Sequence, residues 1–201
     1  MKMWTNPYKA LERTTLRTIR YLQRQGVLFE GGLSDRETAG IEQEFGFLFP
    51  PDLKMLLLTA LPVSAGFTPW RTDDRMELWE RMERPWEGIV FDLRESDFWY
   101  LPWGERPDTL QERIRVAERH YACYPPLIPI YEHRHLPAVP NRVGNPVFSV
   151  WQTDVIYYGR DLASYFRREF ERKNVRAKGA LAEPIEFWSE LAEGRNFVGG
   201  L

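Results

Sequence analysis

The sequence is poor in the residues from which most catalytic and metal centres are built. Of its 201 residues, three are histidine and one is cysteine. A single thiol, Cys123, excludes an intramolecular disulfide and any cysteine-rich zinc site. Set among Tyr121, Tyr124 and two prolines, it reads as a small buried hydrophobe rather than an activated thiolate. The chain has no glycine-rich phosphate loop, no Gly-x-Ser-x-Gly elbow and no His-Glu-x-x-His pair. No apolar run approaches the roughly 20 residues that span a bilayer. The N-terminal stretch from Met1 to Leu22 is too polar for a signal-peptide core. The expectation is a cytoplasmic protein with no membrane partner. A net charge of −2 argues against a general nucleic-acid binder.

What the chain does have is aromatic surface and clustered charge. Aromatic residues make up 14% of it, and eight are tryptophan. Residues 73–97 carry nine acids against four arginines, a net −5, and residues 160–178 carry seven bases against three acids, a net +4. Two solvated faces would explain this; an acidic docking surface is the sharper reading.

Helical periodicity comes first. Leu11, Thr15, Ile19 and Leu22 recur at three- and four-residue steps between Pro7 and Gln25, with Gly26 as the stop and Gly31-Gly32 as a flexible break. Ser34 with Glu37 forms a capping box that starts a helix through Ile41 and Phe45, closed by Gly46. Phe47, Leu48 and Phe49 are too apolar for an exposed loop and are expected to plug the core. Pro50-Pro51 then opens a second helix through Leu53, Leu56 and Leu57. Together these make a helical corner with a hydrophobic bend.

Residues 72–84 read as a helix started by Thr72 or Asp73 and ended before Pro85. Gly88–Leu93 reads as a strand. The segment from Phe98 to Pro107 is aromatic and irregular. Asp108 with Gln111 can cap a helix bearing Leu110, Ile114, Ala117 and Tyr121. Residues 127–132 form a strand whose Pro129 suggests an edge or a bulge. Residues 147–158 form a hairpin turning near Thr153-Asp154. Asp161 opens a helix with Leu162, Phe166 and Phe170 inward, and Pro184 opens a short one bearing Ile185, Trp188 and Leu191. Helices first, antiparallel-type strands later and a returning helix predict an α+β fold: a single domain with a mainly antiparallel sheet covered by helices.

In this order the residues resemble a known family. Ser34-x-x-Glu37, Ile41-Glu42, Phe45-Gly46, Pro50-x-Asp52-Leu53 and Leu56-Leu57-Leu58 are similar to the N-terminal signature of the SUKH superfamily, the group of the Smi and Knr cell-wall regulators. Leu127–Ile130, Pro146–Val150 and the Leu162–Phe170 helix resemble its C-terminal half, and the phrases around Gly88–Trp99 and Trp103–Pro107 resemble its bacterial members. The chain departs in having Ala60-Leu61-Pro62 where a glycine turn is usual. The resemblance spans residues 31–172. Outside it, residues 1–30 are expected to carry an N-terminal helix packed on that domain, and 173–201 a C-terminal extension with a short helix. From Val175 onward that extension is expected to be dispensable or loosely docked.

The resemblance implies a protein-binding module without catalytic residues. Bacterial members look like immunity proteins that neutralise toxins, often nucleases, and eukaryotic members look like signalling scaffolds. The implied partner is another protein, with a nuclease-type toxin as one case; no cofactor is implied. Glu95, Asp97, Trp99, Trp103 and Glu105 are the candidate binding residues: acids that steer a basic partner beside aromatics that anchor it. The plainer reading puts both tryptophans in the core, and a carbohydrate or small-ligand platform would use the same residue types. For metal, His133 and His135 at i and i+2 could share an ion with His120 or a carboxylate. Two hydrogen-bonded or solvated imidazoles beside Arg134 are the plainer reading, and no metal site is predicted.

Overall fold

A computed structural model describes residues 7–171 and 183–200. The chain opens with α1 (Pro7–Arg24) and β1 (Phe29–Gly31), then the corner α2 (Asp35–Phe45) and α3 (Pro51–Thr59), then β2 (Ala60–Pro62). Gly26, at φ +88°, ends α1: its N–H donates to the Gln23 carbonyl and that of Val27 to Leu22, so two orphan carbonyls are satisfied at once. The expected flexible break at Gly31-Gly32 is instead a fixed joint. β1 pairs antiparallel with β2, Gly31 opposite Ala60. A Cβ on Gly32 would lie 1.9 Å from the Leu58 carbonyl oxygen, so only glycine permits the contact. The capping box forms as read: the Glu37 N–H donates to Ser34 Oγ at 3.2 Å, and Ser34 N–H donates to the Glu37 carboxylate at 2.7 Å. Phe47 and Phe49 are buried, but Leu48 between them points to solvent, because a short extended bend alternates its side chains.

A long helix α4 (Arg75–Glu95) leads to β3 (Trp99–Tyr100), a 3₁₀ turn (Leu101–Trp103) and α5 (Leu110–Tyr121). The main sheet follows: β4 (Leu127–Tyr131), β5 (Arg134–Pro137), β6 (Val147–Trp151) and β7 (Asp154–Gly159), ordered β4-β5-β6-β7 and antiparallel throughout. β4 is an edge in this order, and its register shifts between Pro129 and Tyr131, which is where a proline without an N–H can be tolerated. α6 (Leu162–Phe170), α7 (Trp188–Ala192) and β8 (Phe197–Val198) complete the described chain, β8 pairing with β3.

Strand alternation divides the interior in two. Ile128, Ile130, Leu136 and Val147 pack with α1, the helical corner and α6, including Leu22, Leu53, Leu57 and Phe166. Leu127, Phe148, Val150 and Val155 pack on the other side with Ile89, Leu93, Phe98, Trp99, Trp103 and Trp188. The result is an α+β fold with helices on both faces of one antiparallel sheet.

The structure departs from several expectations drawn from the sequence. Residues 88–93 are not a strand, and the helix does not stop before Pro85. α4 runs through both, with Asp74 rather than Thr72 or Asp73 as its cap. Proline inside a helix removes one backbone bond and costs about 3 kcal/mol or more. The helix persists because Leu78, Pro85, Ile89 and Leu93 are all buried along one side. The cap of α5 is likewise Thr109 with Glu112, one residue beyond Asp108 and Gln111. A further correction concerns the C-terminus. Ile185, Phe187, Trp188 and Leu191 are buried in the second core, and the Trp188 indole donates to the Pro125 carbonyl at 2.8 Å. Residues 183–200 are therefore structural and not loosely docked; the same expectation for 175–182 and 201 lies outside the described residues. Cys123, expected in the core, is exposed just past the end of α5.

Candidate functional site

The residues singled out in advance separate into two groups. Trp99 and Trp103 are 2% and 6% exposed and lie in the second core, their rings 5.2 Å apart and edge-on. Each indole N–H is already satisfied, Trp99 on the Gly104 carbonyl at 2.9 Å and Trp103 on the Tyr124 hydroxyl at 3.0 Å. Both are removed from the candidate surface, and with them a glycan platform on this segment. The reason is that β3 pairs with β8 and the 3₁₀ turn packs on α5, so that both rings join Phe98, Phe187 and Trp188 in the second core. Asp97 is exposed but engaged: Arg106 donates to it at 2.5 Å, with Arg113 at 3.9 Å, and the Arg106 contact holds its carboxyl below the usual carboxylate range. Glu95 and Glu105 are exposed and make no ion pair with any described residue.

The continuity of α4 creates a surface that a broken helix would not. Met76, Glu80, Glu83, Glu87, Phe91 and Glu95 follow at three- and four-residue steps, so they share one helix face. All six are exposed, Phe91 at 44%. Four of the nine acids read from composition, Glu80, Glu83, Glu87 and Glu95, thus form a ridge. Glu77 is tied to Arg81 within the helix, while Glu80, Glu83, Glu87 and Glu95 pair with no described cation.

Beside this ridge lies a cavity of about 450 Å³ between α4 and the ends of the β4–β5 and β6–β7 hairpins. Arg84, Pro85, Glu87 and Phe91 line it from α4; His133, His135, Trp151 and Gln152 line it from the hairpins. The helix approaches closely at Gly88, where a Cβ would stand 2.6 Å from Gln152 Cα. Asp92, fully buried, fixes that approach: Thr153 donates to its Oδ2 through the backbone N–H at 2.9 Å and the hydroxyl at 2.5 Å. Trp151 is 61% exposed and meets the His133 ring edge-on at 6.0 Å.

His135 is the anomaly of this cavity. It is 1% exposed, on β5 opposite Phe148, and neither ring nitrogen makes a well-aligned hydrogen bond, the His133 backbone carbonyl being its one polar neighbour of consequence. Burial pushes its pKa down to about 4; a contact with the His133 backbone carbonyl opposes this, and the charges of His133, Arg84 and Arg134 add smaller contributions to the depression. Gln152 Oε1 in the same lining is also buried without a partner. Buried polar atoms of this kind are rare and usually have a cause.

The opposite face of the sheet is polar too, but satisfied. Arg134 donates to Glu169 at 2.9 Å and to Ser149 at 2.8 Å, and its guanidinium lies 3.8 Å from the Tyr158 ring centre. His133 and His135 line one cavity, as two histidines at i and i+2 can. Among the described residues no group of three or more His, Cys, Asp or Glu is placed to hold a metal ion. No helix among them is long and apolar enough to cross a membrane.

Sequence reading missed Phe91, Trp151, Gln152 and Arg84 as surface residues. The signal was present in the three-four spacing of Glu80, Glu83, Glu87 and Phe91, once residues 75–95 are taken as one helix. No family model matches the chain, and neither a curated protein nor a solved structure matches it.

Proposed function

We propose that this protein is a non-enzymatic binding module of the SUKH kind, and that it acts as an immunity-like protein: it docks on a toxin and neutralises it. The observation that carries this reading is the ridge of α4, four unpaired glutamates around Phe91 on one exposed helix face. A nuclease must bind a polyanion, so its cleft is basic. Carboxylates at helical spacing offer such a cleft a substitute for phosphates, which speeds encounter and sets register. Phe91 at the centre supplies the apolar anchor that interfaces concentrate. Glu95 keeps its assigned place on this face; Trp99, Trp103 and Asp97 give theirs up to Phe91, Glu83 and Glu87. Glu105 lies off the helix and is not assigned to the ridge.

The test is protection in cells. A nuclease toxin, sought first among the products of the neighbouring genes, is expressed together with the protein, either unaltered or with Glu80, Glu83 and Glu87 replaced by lysine. These side chains are exposed and unpaired, so the variant folds. The unaltered chain should rescue growth and the variant should not. With purified proteins, charge reversal should slow association, and Phe91→Ala should mainly speed dissociation, by on the order of 2 kcal/mol. A folded triple variant that protects as well as the original would sink this reading. A regulatory scaffold, the alternative role, would show no protection by either.

A further inference from the structure

The cavity beneath the ridge carries an inference that goes beyond protein docking. We infer that it is a binding site for a small, neutral, planar heteroaromatic molecule with hydrogen-bond donors and acceptors on its edge, the chemistry of a nucleobase or nucleoside. Its size, about 450 Å³, lies within the range of sites for ligands of that size. Its walls are flat and apolar: Phe91, Trp151 and the His133 ring, with Pro85 and Val150. Aromatic walls suit a ring that stacks.

The polar groups define the rest. His135 lines the cavity fully buried, and neither ring nitrogen makes a well-aligned hydrogen bond. Held neutral, it offers one donor and one acceptor. Gln152 Oε1, also buried and unpartnered, offers an acceptor. A nucleobase edge carries N–H donors and ring-nitrogen or carbonyl acceptors side by side, so one ligand can satisfy both residues. A hydrocarbon would leave the Gln152 oxygen and the imidazole without well-formed hydrogen bonds, at a cost comparable to each lost bond. The rim holds one cation, Arg84, and one anion, Glu87, so it selects no net charge. Glu80, Glu83 and Glu95 on the adjoining helix repel a polyanion, which favours a free base or nucleoside over a nucleic-acid strand.

The other hollows lack this combination. The one along α5 is lined mainly by charged side chains, and none of its residues carries an unpartnered buried atom. In the one between α1, α3 and α6, the buried carboxylate of Asp52 already accepts from the Gly144 N–H at 3.1 Å.

The experiment is calorimetric titration of the full chain with guanosine, guanosine monophosphate and a short single-stranded oligonucleotide. The nitrogen resonances of the histidine rings are followed alongside. Guanosine should bind in the millimolar range or tighter and shift the ring nitrogens of His135. The monophosphate should bind no more tightly, and the oligonucleotide should not compete. Trp151→Ala should weaken guanosine by about tenfold or more, as should His135→Phe. Trp151 is exposed, so its variant folds and carries the test even if the His135 variant does not. Absence of heat and of any His135 shift with guanosine would overturn the inference. Binding unchanged in Trp151→Ala, or tighter binding of the oligonucleotide, would overturn it equally. None of these readouts involves a protein partner, so the outcome is independent of the toxin-binding reading.

Discussion

His135 is a titratable group placed where its charged form has no solvent and no carboxylate partner, only the His133 backbone beside it. Its pKa is pushed from an ordinary value of 6.5 to about 4, chiefly by burial. As pH falls, the unfolded chain takes up the proton before the folded one does. The contribution to stability is therefore whole above about 6.5 and is lost as pH falls toward about 4. Over that window the loss is on the order of 3 kcal/mol. Urea unfolding of the protein and of His135→Phe, compared at neutral pH and near pH 4, measures it. The protein should lose stability over that interval by this amount more than the variant does. Equal losses would mean that the imidazole reaches solvent or a partner. Arg134, its neighbour in sequence, shows the contrasting solution: the next side chain points to the other face of the sheet, and there Glu169, Ser149 and the Tyr158 ring meet it. Neighbouring residues in one strand thus carry opposite polar states. Side-chain alternation explains the split.

At the scale of elements, α4 joins the fold to the candidate surface. One side of it is buried against β4 and β6 and the other forms the glutamate ridge, so any shift of the helix moves ridge and cavity together. Gly88 is the contact that fixes its height over the β6–β7 turn. A Cβ there would stand 2.6 Å from the backbone of Gln152, and a backbone atom cannot swing away as a side-chain tip can. Gly88→Ala should cost about 1–3 kcal/mol in urea unfolding, as overpacking of a close contact does. The favourable helix propensity of alanine, worth about 1 kcal/mol, offsets only part of it. A variant as stable as the original would show that helix and turn part easily. The same element shows why its class was misread. Pro85 and the run Gly88-Ile89-Val90-Phe91 are local signals for a helix end and a strand. The tertiary environment overrides them, because Ile89 and Leu93, four apart, both find the core.

At the scale of the whole molecule, one sheet is shared by two hydrophobic clusters, and the second is completed from the C-terminal end. Ile185, Phe187, Trp188 and Leu191 are all buried there. Full burial of such side chains contributes about 1.5–3 kcal/mol each. Four together rival the whole stability of a typical domain, about 5–15 kcal/mol. A chain ended after Glu171 should therefore lose cooperative unfolding and near-ultraviolet dichroism, and bind a dye for exposed apolar surface. A truncated chain that still unfolds in a single sharp transition would refute the structural role given to this segment.

The sequence by itself determined the local elements whose signals are chemical and short-range. The Ser34–Glu37 box, the Gly26 and Gly46 stops, the Pro50-Pro51 helix start, the Asp161 cap and the hairpin near Thr153 all lie where the residues place them. Each depends on groups within a few positions of one another. Composition also marked residues 73–97 as acidic. Only the tertiary structure decided that four of these nine acids form a ridge while Asp92 is buried, that Trp99 and Trp103 face inward, and that His135 faces a cavity beside Trp151. Whether an aromatic ring is an anchor or a core residue depends on what packs over it, and here that is α5 and α7. Whether a helix survives its proline depends on the surface it buries. These are long-range quantities, set by the meeting of residues that lie far apart along the chain, such as Gly88 with Gln152 and Trp188 with Pro125.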